Sequence, residues 1–223
     1  MCGRFSFSPL AKIIEDRFDV KVDGSQYTPR FNSAPSQKLA VISNDNPDEL
    51  SFYKWGLIPF WAKDKSIGNK MINAKAETIM EKASFKNPFK RKRCLVLSDG
   101  FYEWKKINPK EKIPYCIKME DDSLFAMAGI WDTWKNEAGE MINSFAIITT
   151  SPNELMGNIH ARMPVILSKN DEKKWLNEMD TDFLQSLLKP FPANEMTAYS
   201  ISRLVNYPKN DSPEILKPAI YDL

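Results

Sequence analysis

The sequence predicts an α+β fold, and three observations lead to this prediction. Many short apolar or β-rich runs are interspersed with helical segments without strict alternation, which favours α+β over a doubly wound parallel sheet. The 223 residues are enough for a large core without disulfide or metal support. No linker or low-complexity segment divides the chain, so we expect residues 1–223 to form one compact domain.

The first helix is predicted close to the N-terminus. Ser8 fits the N-cap position and Pro9 fits the first turn. Four apolar residues then fall on one face of this helix, which we expect to be buried. They are Leu10, Ile13, Ile14 and Phe18.

The remaining elements follow from apolar runs and turn residues. A turn rich in Asn, Asp and Pro is predicted over 44–48. Strands are predicted over 37–42, 50–55, 94–98, 113–119, 124–130, 145–150, 163–167 and 196–202. Helices are predicted over 74–83, 152–158 and 170–188.

Composition excludes several classes of protein. Hydrophobic residues make up 43% of the chain and charged residues 27%, which is typical of a globular protein and not of a disordered one. The sequence has neither an apolar run near the ~20 residues of a membrane span nor a signal-like N-terminus. The three cysteines are far apart in the sequence, which indicates a reducing compartment and predicts a cytoplasmic protein without disulfides.

Basic residues are concentrated in one part of the chain. Residues 54–118 hold 16 Lys and Arg against 6 Asp and Glu, although the whole chain has a net charge of only +2. The densest run, Lys-Arg-Lys-Arg, occupies 90–93. A basic zone within a near-neutral protein fits a polyanionic partner, and a solvated face without any partner is the alternative.

The chain begins MCGRF, which places a cysteine at position 2. If the initiator Met1 is removed, Cys2 carries a free α-amine and a thiol on adjacent carbons. Reference pKa values of about 7.7–8.0 for the amine and about 8.5 for the thiol give both groups nucleophilic forms near neutrality. The amine of such a 1,2-aminothiol forms an imine with an aldehyde, and the thiolate then closes a five-membered thiazolidine. The alternative is an ordinary cysteine without this role.

Three polar residues are candidates for acid–base or positioning roles. His160, the only histidine, precedes a predicted strand, where it either moves protons near pH 7 or is structural. Glu103 lies among aromatic residues, where it is either a desolvated acid/base with a raised pKa or an exposed turn residue. Asn73 either caps the helix predicted after it or orients an amine or a sugar oxygen with its amide.

Aromatic residues and lysines are interleaved around the sequence WGLIPFWAKDK at 55–65. Trp55, Phe60 and Trp61 fit a base-stacking surface beside phosphate contacts, although core packing is the ordinary role of such residues, and at least one of them should be core. A metal site is not predicted, because the chain has one histidine and no cysteine pair at ligand spacing. No cofactor is predicted either, since the sequence has no glycine-rich phosphate loop.

The motifs, taken together and in order, resemble the SRAP family, whose name stands for SOS response-associated peptidase and whose members are viewed as abasic-site processing proteins. The resemblance covers most of the chain. Its motifs are MCGRF at 1–5, FNSAPSQ at 31–37, WGLIPFWAKD at 55–64, NAKAET at 73–78, CLVLSDGFYEW at 94–104, FAMAGIWD at 125–132, IITTSPN at 147–153, NIHARMPVIL at 158–167 and SRLVNYPKNDSPEILKP at 202–218.

This resemblance implies a fold and a set of catalytic roles. The implied fold has a curved, barrel-like mixed β core with peripheral helices. Cys2 is implied as the nucleophile that forms the thiazolidine, and Asn73 as the residue that positions the sugar and the Cys2 amine. Glu103 is implied as an acid/base near the same carbon. His160 is implied in opening the abasic sugar and in reversing the crosslink.

The resemblance also implies a DNA surface. Its contacts would be Arg4, Pro35, Trp61, Lys75 and Arg162, with Pro35 as a wedge beside the lesion. The family usually has Arg at position 75, and Lys keeps the charge but loses the bidentate fork. The implied partner is single-stranded DNA that contains abasic sites. We expect a nucleoid-associated monomer without membrane contact, and replication-fork proteins are candidate partners.

Two other functions stay open on the sequence. Amidotransferases that begin Met-Cys-Gly use an N-terminal Cys to hydrolyse an amide, and a peptidase that removes its own leader is a related hypothesis. The third hypothesis is a non-covalent single-strand-binding module that uses residues 54–118. A DNA adduct that survives denaturation would distinguish a lyase-like crosslinking enzyme from both.

Overall fold

Strands dominate the structure, a computed structural model that describes residues 2–221. The strands are β1 (Phe5–Phe7), β2 (Arg30–Ser33), β3 (Lys38–Ser43), β4 (Asn46–Trp55), β5 (Asn73–Lys75), β6 (Arg93–Ser98), β7 (Gly100–Lys106), β8 (Lys112–Met119), β9 (Phe125–Lys135), β10 (Met141–Thr150), β11 (Met163–Pro164), β12 (Ile166–Leu167) and β13 (Met196–Ser200). The α-helices are α1 (Ala11–Phe18), α2 (Ala83–Arg91), α3 (Glu154–Gly157), α4 (Lys169–Asn177) and α5 (Thr181–Ser186). Short 3₁₀ turns cover Lys65–Lys70, Ala76–Thr78, Ala193–Glu195, Arg203–Asn206 and Pro213–Leu216.

Five strands close into a mixed barrel. The order is β10-β4-β3-β6-β9, and β9 pairs back to β10 to complete the ring. The β4–β10 pair is parallel, whereas the other pairs of the ring are antiparallel. The short strands β5, β11 and β12 extend this sheet. The predicted α+β fold with a barrel-like mixed core is therefore confirmed.

A second, antiparallel sheet carries the N-terminus, in the order β13-β8-β7-β1-β2. β1 lies inside this sheet, because Phe5 pairs with Ser33 of β2 on one side and with Phe101 of β7 on the other. The outer edge of β2 is covered by the C-terminal segment, where the Asp211 carboxylate accepts the backbone N–H groups of residues 31 and 32 at 2.6 and 2.9 Å. This cover prevents another chain from pairing with that edge.

The two sheets share one hydrophobic core, and aromatic rings join them. The Phe5 ring from β1 lies 5.2 Å from the Trp55 ring of β4, centroid to centroid. Trp55 in turn stacks on Phe145 of β10 at 6.2 Å. All three side chains are buried. The expectation that at least one aromatic residue of the 55–61 segment is core is confirmed by Trp55, while Phe60 and Trp61 are exposed.

The predicted start of the first helix is wrong. α1 begins at Ala11, and the Ser8 side chain does not cap it. Instead the backbone N–H and the hydroxyl of Ser8 both donate to the Asp99 carboxylate, at 2.8 and 2.7 Å. These bonds tie the chain to the β6–β7 connection, so the segment stays extended up to Leu10.

The predicted apolar face of α1 is correct in its second half only. Ile14 and Phe18 are buried, as expected, but Leu10 is 71% exposed and Ile13 is 49% exposed. Because the helix begins later than predicted, Leu10 precedes its first turn.

The helix predicted over 74–83 is also wrong. Its first residues form β5, which pairs in parallel with β10 so that Asn73 lies opposite Ile147. A 3₁₀ turn follows at Ala76–Thr78, and α2 begins only at Ala83. Strand pairing with the barrel thus overrides the helical propensity of Ala and Glu, and Asn73 is a strand residue and not a helix cap.

Most other predicted elements are confirmed with shifted ends. The turn predicted over 44–48 contracts, because β4 already begins at Asn46. The strand predicted over 163–167 is divided into β11 and β12. The prediction did not include β1, β2, β5 and β7, which are short or carry polar residues on one side.

The basic run at 90–93 caps helices from within the protein. Arg93 is fully buried, and its guanidinium donates to carbonyl oxygens at the C-terminal ends of α2 and α4 over 2.5 to 3.2 Å. A cation at the C-terminal end of a helix also interacts favourably with the helix dipole. Lys92 pairs with Asp132 at 2.9 Å. The run is therefore only in part available to a polyanion.

Within residues 2–221, no helix has the length and apolar character that crossing a membrane requires.

Gly129 of β9 tests how tightly the barrel is packed. A Cβ atom there would lie 2.7 Å from the Cys94 sulfur and 2.8 Å from a Val96 methyl on the neighbouring strand. Gly129→Ala should therefore lower the free energy of unfolding by about 1–3 kcal/mol, measured by urea denaturation. Gly157→Ala is the matched control, because a Cβ there meets nothing within 4 Å. Equal stability of the two variants would contradict the packing described.

Candidate active site

Cys2 lies three residues before the start of β1 and is fully buried. The Asn73 amide nitrogen donates to the Cys2 carbonyl oxygen at 2.8 Å, which links the N-terminus to β5 of the other sheet. The Asn73 side-chain oxygen is buried and has no hydrogen-bond partner among residues 2–221. Because a buried acceptor without a partner costs roughly 1–3 kcal/mol, this oxygen is suited to bind an N–H or O–H donor that arrives from outside.

Strand register brings Glu103 beside Cys2. Phe5 pairs with Phe101, and the Tyr102 N–H donates to the Arg4 carbonyl at 2.9 Å. Antiparallel pairing advances the two strands in opposite directions, so continuing this register places residue 103 opposite residue 3, the neighbour of Cys2. The Cys2 thiol and the Glu103 carboxylate are close enough to affect each other electrostatically.

Burial perturbs both of these groups. Glu103 is 3% exposed, and burial raises the pKa of its carboxyl group, an effect that His160 opposes in part. The pKa of the Cys2 thiol is also raised, first by burial and then by the charge of Glu103. The thiol is therefore neutral at physiological pH in this environment and needs a base when it reacts.

His160 lies in the loop between α3 and β11, with its Nε2 atom 3.9 Å from Oε2 of Glu103. The backbone N–H of Arg162 donates to His160 Nδ1 at 3.1 Å. The Arg162 carbonyl oxygen lies 3.2 Å from the same Nδ1 atom, so Nδ1 has a backbone partner whether it accepts or donates. In either tautomer, Nε2 is the ring nitrogen that faces Glu103.

Arg162 connects the His160 loop to the turn after β5. Its guanidinium binds both carboxylate oxygens of Glu77, at 2.7 and 2.9 Å. It also donates to the Thr149 carbonyl oxygen at 2.5 Å. Strand β10, the turn after β5 and the His160 loop therefore meet at this guanidinium.

The other expected DNA contacts lie outside this cluster. Lys75 is exposed and lies opposite Thr149, and Trp61 is 49% exposed. Pro35 is half-buried in the turn after β2, where the next residue, Ser36, has a φ of 75°. Arg4 donates to the Asn32 side chain and to the carbonyl oxygen of residue 205, both at 2.9 Å, so it holds the C-terminal segment against β2.

The arrangement joins Cys2, Asn73, Glu103 and His160 in one place, although 158 positions of sequence separate the first from the last. It brings a thiol, a buried carboxyl group and an imidazole into one site, with the imidazole 3.9 Å from the carboxylate. Sequence patterns did not single out Glu77 or Thr149, because neither has a local signal and both are defined by contacts to Arg162. The removal of Met1 concerns a residue outside the described range of 2–221.

The part of the chain that the structure describes contains no cluster of side chains suited to bind a metal ion. No group of three or more His, Cys, Asp or Glu side chains is placed there to hold an ion.

Comparisons with known proteins agree with this arrangement of motifs. The profile of the SRAP family, described as SOS response associated peptidase, matches residues 1–208. The abasic site processing protein YoqW of Bacillus subtilis (strain 168) is 51% identical over 222 residues, which cover 97% of this chain and 99% of that protein. The abasic site processing protein HMCES of Rattus norvegicus is 32% identical over 236 residues, which cover 88% of this chain and 67% of that protein.

Among solved structures, an X-ray crystal structure of a protein from Bacteroides thetaiotaomicron has the same fold. It aligns with a TM-score of 0.90 and 35% sequence identity, over 98% of this chain and 100% of that one. Sequence and fold thus agree over nearly the whole length, and the chain belongs to the SRAP family.

Proposed function

We propose that this protein acts in the response to DNA damage by recognising abasic sites in single-stranded DNA and linking itself to them through Cys2. The observation that carries the proposal is the hydrogen bond of 2.8 Å from Asn73 to the Cys2 carbonyl, with Glu103 and His160 beside it. Family membership supports it, and relatives from bacteria and mammals are named abasic site processing proteins. The nucleophile would be the α-amine and thiol of Cys2 after Met1 is removed.

The first step is to open the sugar. An abasic deoxyribose is mostly a closed hemiacetal, and only its open form has an aldehyde. Opening moves the hydroxyl proton from C1 to the ring oxygen, and His160 is suited to supply the proton through Nε2 while Glu103 accepts the other. The two side chains lie 3.9 Å apart, beyond direct hydrogen-bond distance, so a bridging water would carry a proton between them.

The second step joins the aldehyde to the Cys2 amine. The amine nitrogen attacks C1, and one water leaves as the imine forms. The free oxygen of the Asn73 side chain is suited to accept a hydrogen bond from the amine or from a sugar hydroxyl. Holding the reactants together makes this step effectively intramolecular.

The third step closes the ring. The Cys2 sulfur adds to the imine carbon and its proton moves to the imine nitrogen, so that a thiazolidine forms without further loss of atoms. Because burial and Glu103 raise the pKa of the thiol, the sulfur reacts as its proton leaves, and the Glu103 carboxylate is the neighbouring base. Glu103 therefore accepts a proton from the thiol and can deliver it to the nitrogen.

The surroundings fit a single strand better than a duplex. Trp61 and Phe60 expose aromatic faces on which unpaired bases can stack. Arg162 and Lys75 supply positive charge for phosphates. Pro35 lies in a turn in which the next residue, Ser36, has a positive φ of 75°. A sugar in a single strand can reach a buried thiol, whereas one in an intact duplex has to be extruded first.

Replacing the nucleophile tests the proposal. Cys2→Ala should abolish the denaturant-resistant adduct with a labelled strand that contains one abasic site, because the imine that the remaining α-amine forms has no thiol to close it into a ring and hydrolyses. Cys2→Ser should also give no stable product, since a hydroxyl closes the ring poorly. Binding of an undamaged single strand should remain close to wild type in both variants. A stable adduct formed by Cys2→Ala on a denaturing gel would overturn the proposal.

Replacing the acid–base pair tests the mechanism. His160→Gln should slow adduct formation by about 10²–10⁴ if it transfers the proton that opens the sugar, with no loss of affinity for a strand that carries a non-reactive abasic analogue. Glu103→Gln should slow it as well, and the larger of the two losses identifies the main proton-transfer group. Wild-type rates for His160→Gln at every pH would make His160 structural.

The raised pKa of Glu103 predicts a pH dependence of stability. The folded protein binds this proton more tightly than the unfolded chain, so the stabilisation is present below the ordinary glutamate pKa of about 4.3 and is lost as the pH rises through the raised value. Glu103→Gln cannot ionise and should become progressively more stable than wild type from about pH 4 to pH 7. Urea unfolding across this range measures the difference. Glu81→Gln, an exposed position, is the control, and equal pH profiles of Glu103→Gln and wild type would contradict the assignment.

A further inference from the structure

The guanidinium of Arg162 already binds an anion within the protein. Both of its terminal nitrogens donate to the two oxygens of the Glu77 carboxylate, at 2.7 and 2.9 Å. A carboxylate bound in this way occupies the same fork that would receive two oxygens of a phosphate. The guanidinium also donates to the carbonyl oxygen and to the hydroxyl of Thr149, at 2.5 and 3.3 Å, and these bonds are directed to the barrel.

The two partners of this ion pair differ in how firmly they are held. The Arg162 side chain is 18% exposed and the Glu77 side chain is 50% exposed. Arg162 is fixed by the Thr149 carbonyl, whereas both side-chain hydrogen bonds of Glu77 within residues 2–221 come from Arg162. The carboxylate is therefore the partner that can leave at small cost, while the guanidinium stays in place.

A second cation adjoins the same carboxylate. Lys75 lies two residues before Glu77, and its strand partner is Thr149, the residue that holds Arg162. The hydrogen bond from Arg162 lowers the pKa of Glu77, and the charge of Lys75 adds a smaller effect in the same direction. Lys75 forms no salt bridge with any acidic residue in 2–221. Glu77 is thus an anion that is bound by one cation, Arg162, and is affected by the charge of a second, Lys75.

We propose that the Glu77 carboxylate occupies the phosphate position of the strand-binding surface in the free protein, and that a backbone phosphate of the bound strand displaces it from Arg162. This inference rests on the proposed function, because it names a competitor for that DNA surface. Glu77 keeps the Arg162 fork extended and pairs its charge while no strand is bound. The same pairing lowers the affinity of the protein for every strand, damaged or not.

The exchange predicts in which direction the affinity for a strand changes when Glu77 is replaced. A strand that binds the wild-type protein must separate Glu77 from Arg162, whereas a strand that binds Glu77→Gln finds the fork open. The variant should therefore bind an undamaged single strand about 1.5- to fivefold more tightly than wild type, the range expected from the loss of one partly exposed ion pair. Any variant that removes a negative charge near DNA also gains some affinity, so a matched control is needed.

Glu81→Gln provides that control, since it removes the same charge four residues away from an exposed side chain. We would measure the dissociation constant of a fluorescent, undamaged single strand by anisotropy at fixed salt, for wild type, Glu77→Gln, Glu81→Gln, Arg162→Lys and the double variant Glu77→Gln/Arg162→Lys. Thermal melting confirms that each variant is folded. Glu77→Gln should gain more affinity than Glu81→Gln. In the Arg162→Lys background the extra gain should vanish, because Lys lacks the fork that the carboxylate fills.

The outcomes separate this inference from the proposed function. Equal gains for Glu77→Gln and Glu81→Gln, or an equal gain in both Arg162 backgrounds, would overturn the exchange alone. Weaker binding by Glu77→Gln would also overturn it and would show that the carboxylate positions Arg162 for the strand. If the wild-type protein binds no single strand at all, the proposed function fails and the exchange fails with it.

Discussion

The register of β1 is the constraint on which the site depends. β1 is only three residues long, but it lies between two partner strands, and Phe5 is fixed opposite Ser33 and Phe101. That register sets which residue of β7 lies beside the N-terminus. A slip of β1 by one residue would reverse the face on which each of its own side chains lies and would shift Cys2 relative to Glu103. The hydrogen bond from Asn73 to the Cys2 carbonyl then fixes the N-terminus against the barrel as well.

A site built in this way is costly to the fold. It buries the Glu103 carboxyl group beside the Asn73 side-chain oxygen, and this oxygen has no hydrogen-bond partner among the described residues. Both burials are unfavourable by themselves, so the surrounding structure must compensate. It does so through the packed aromatic core behind β1 and through the Asp211 carboxylate, which secures the edge of β2. Burial of Glu103 has two effects. It raises the pKa of the carboxyl group, and it lowers the stability of the folded protein.

Sequence patterns predicted the fold class and the identity of the candidate side chains, but not how those side chains are placed relative to one another. The apolar runs gave most barrel strands, since each is long and buried, and the N-terminal cysteine and lone histidine identified themselves by type and position. The strand β7 was missed because Glu103, Lys105 and Lys106 interrupt its apolar character. The helix predicted at 74–83 failed because β5 is stabilised by pairing with β10, a contact between segments about 70 residues apart that no local pattern shows. The Glu77–Arg162 pair is hidden for the same reason, and the family resemblance, not periodicity, supplied the roles of Asn73, Pro35 and Arg162.

The most direct test of the central claim is the intact mass of the purified protein before and after it is mixed with a single strand that contains one abasic site. We expect the free protein to have the mass of a chain that begins at Cys2. After mixing, a second species should have the summed mass of that chain and the strand less one water, and it should survive denaturation. A chain that begins at Cys2 but gives no such species, or an adduct that forms while Met1 is still present, would contradict the account.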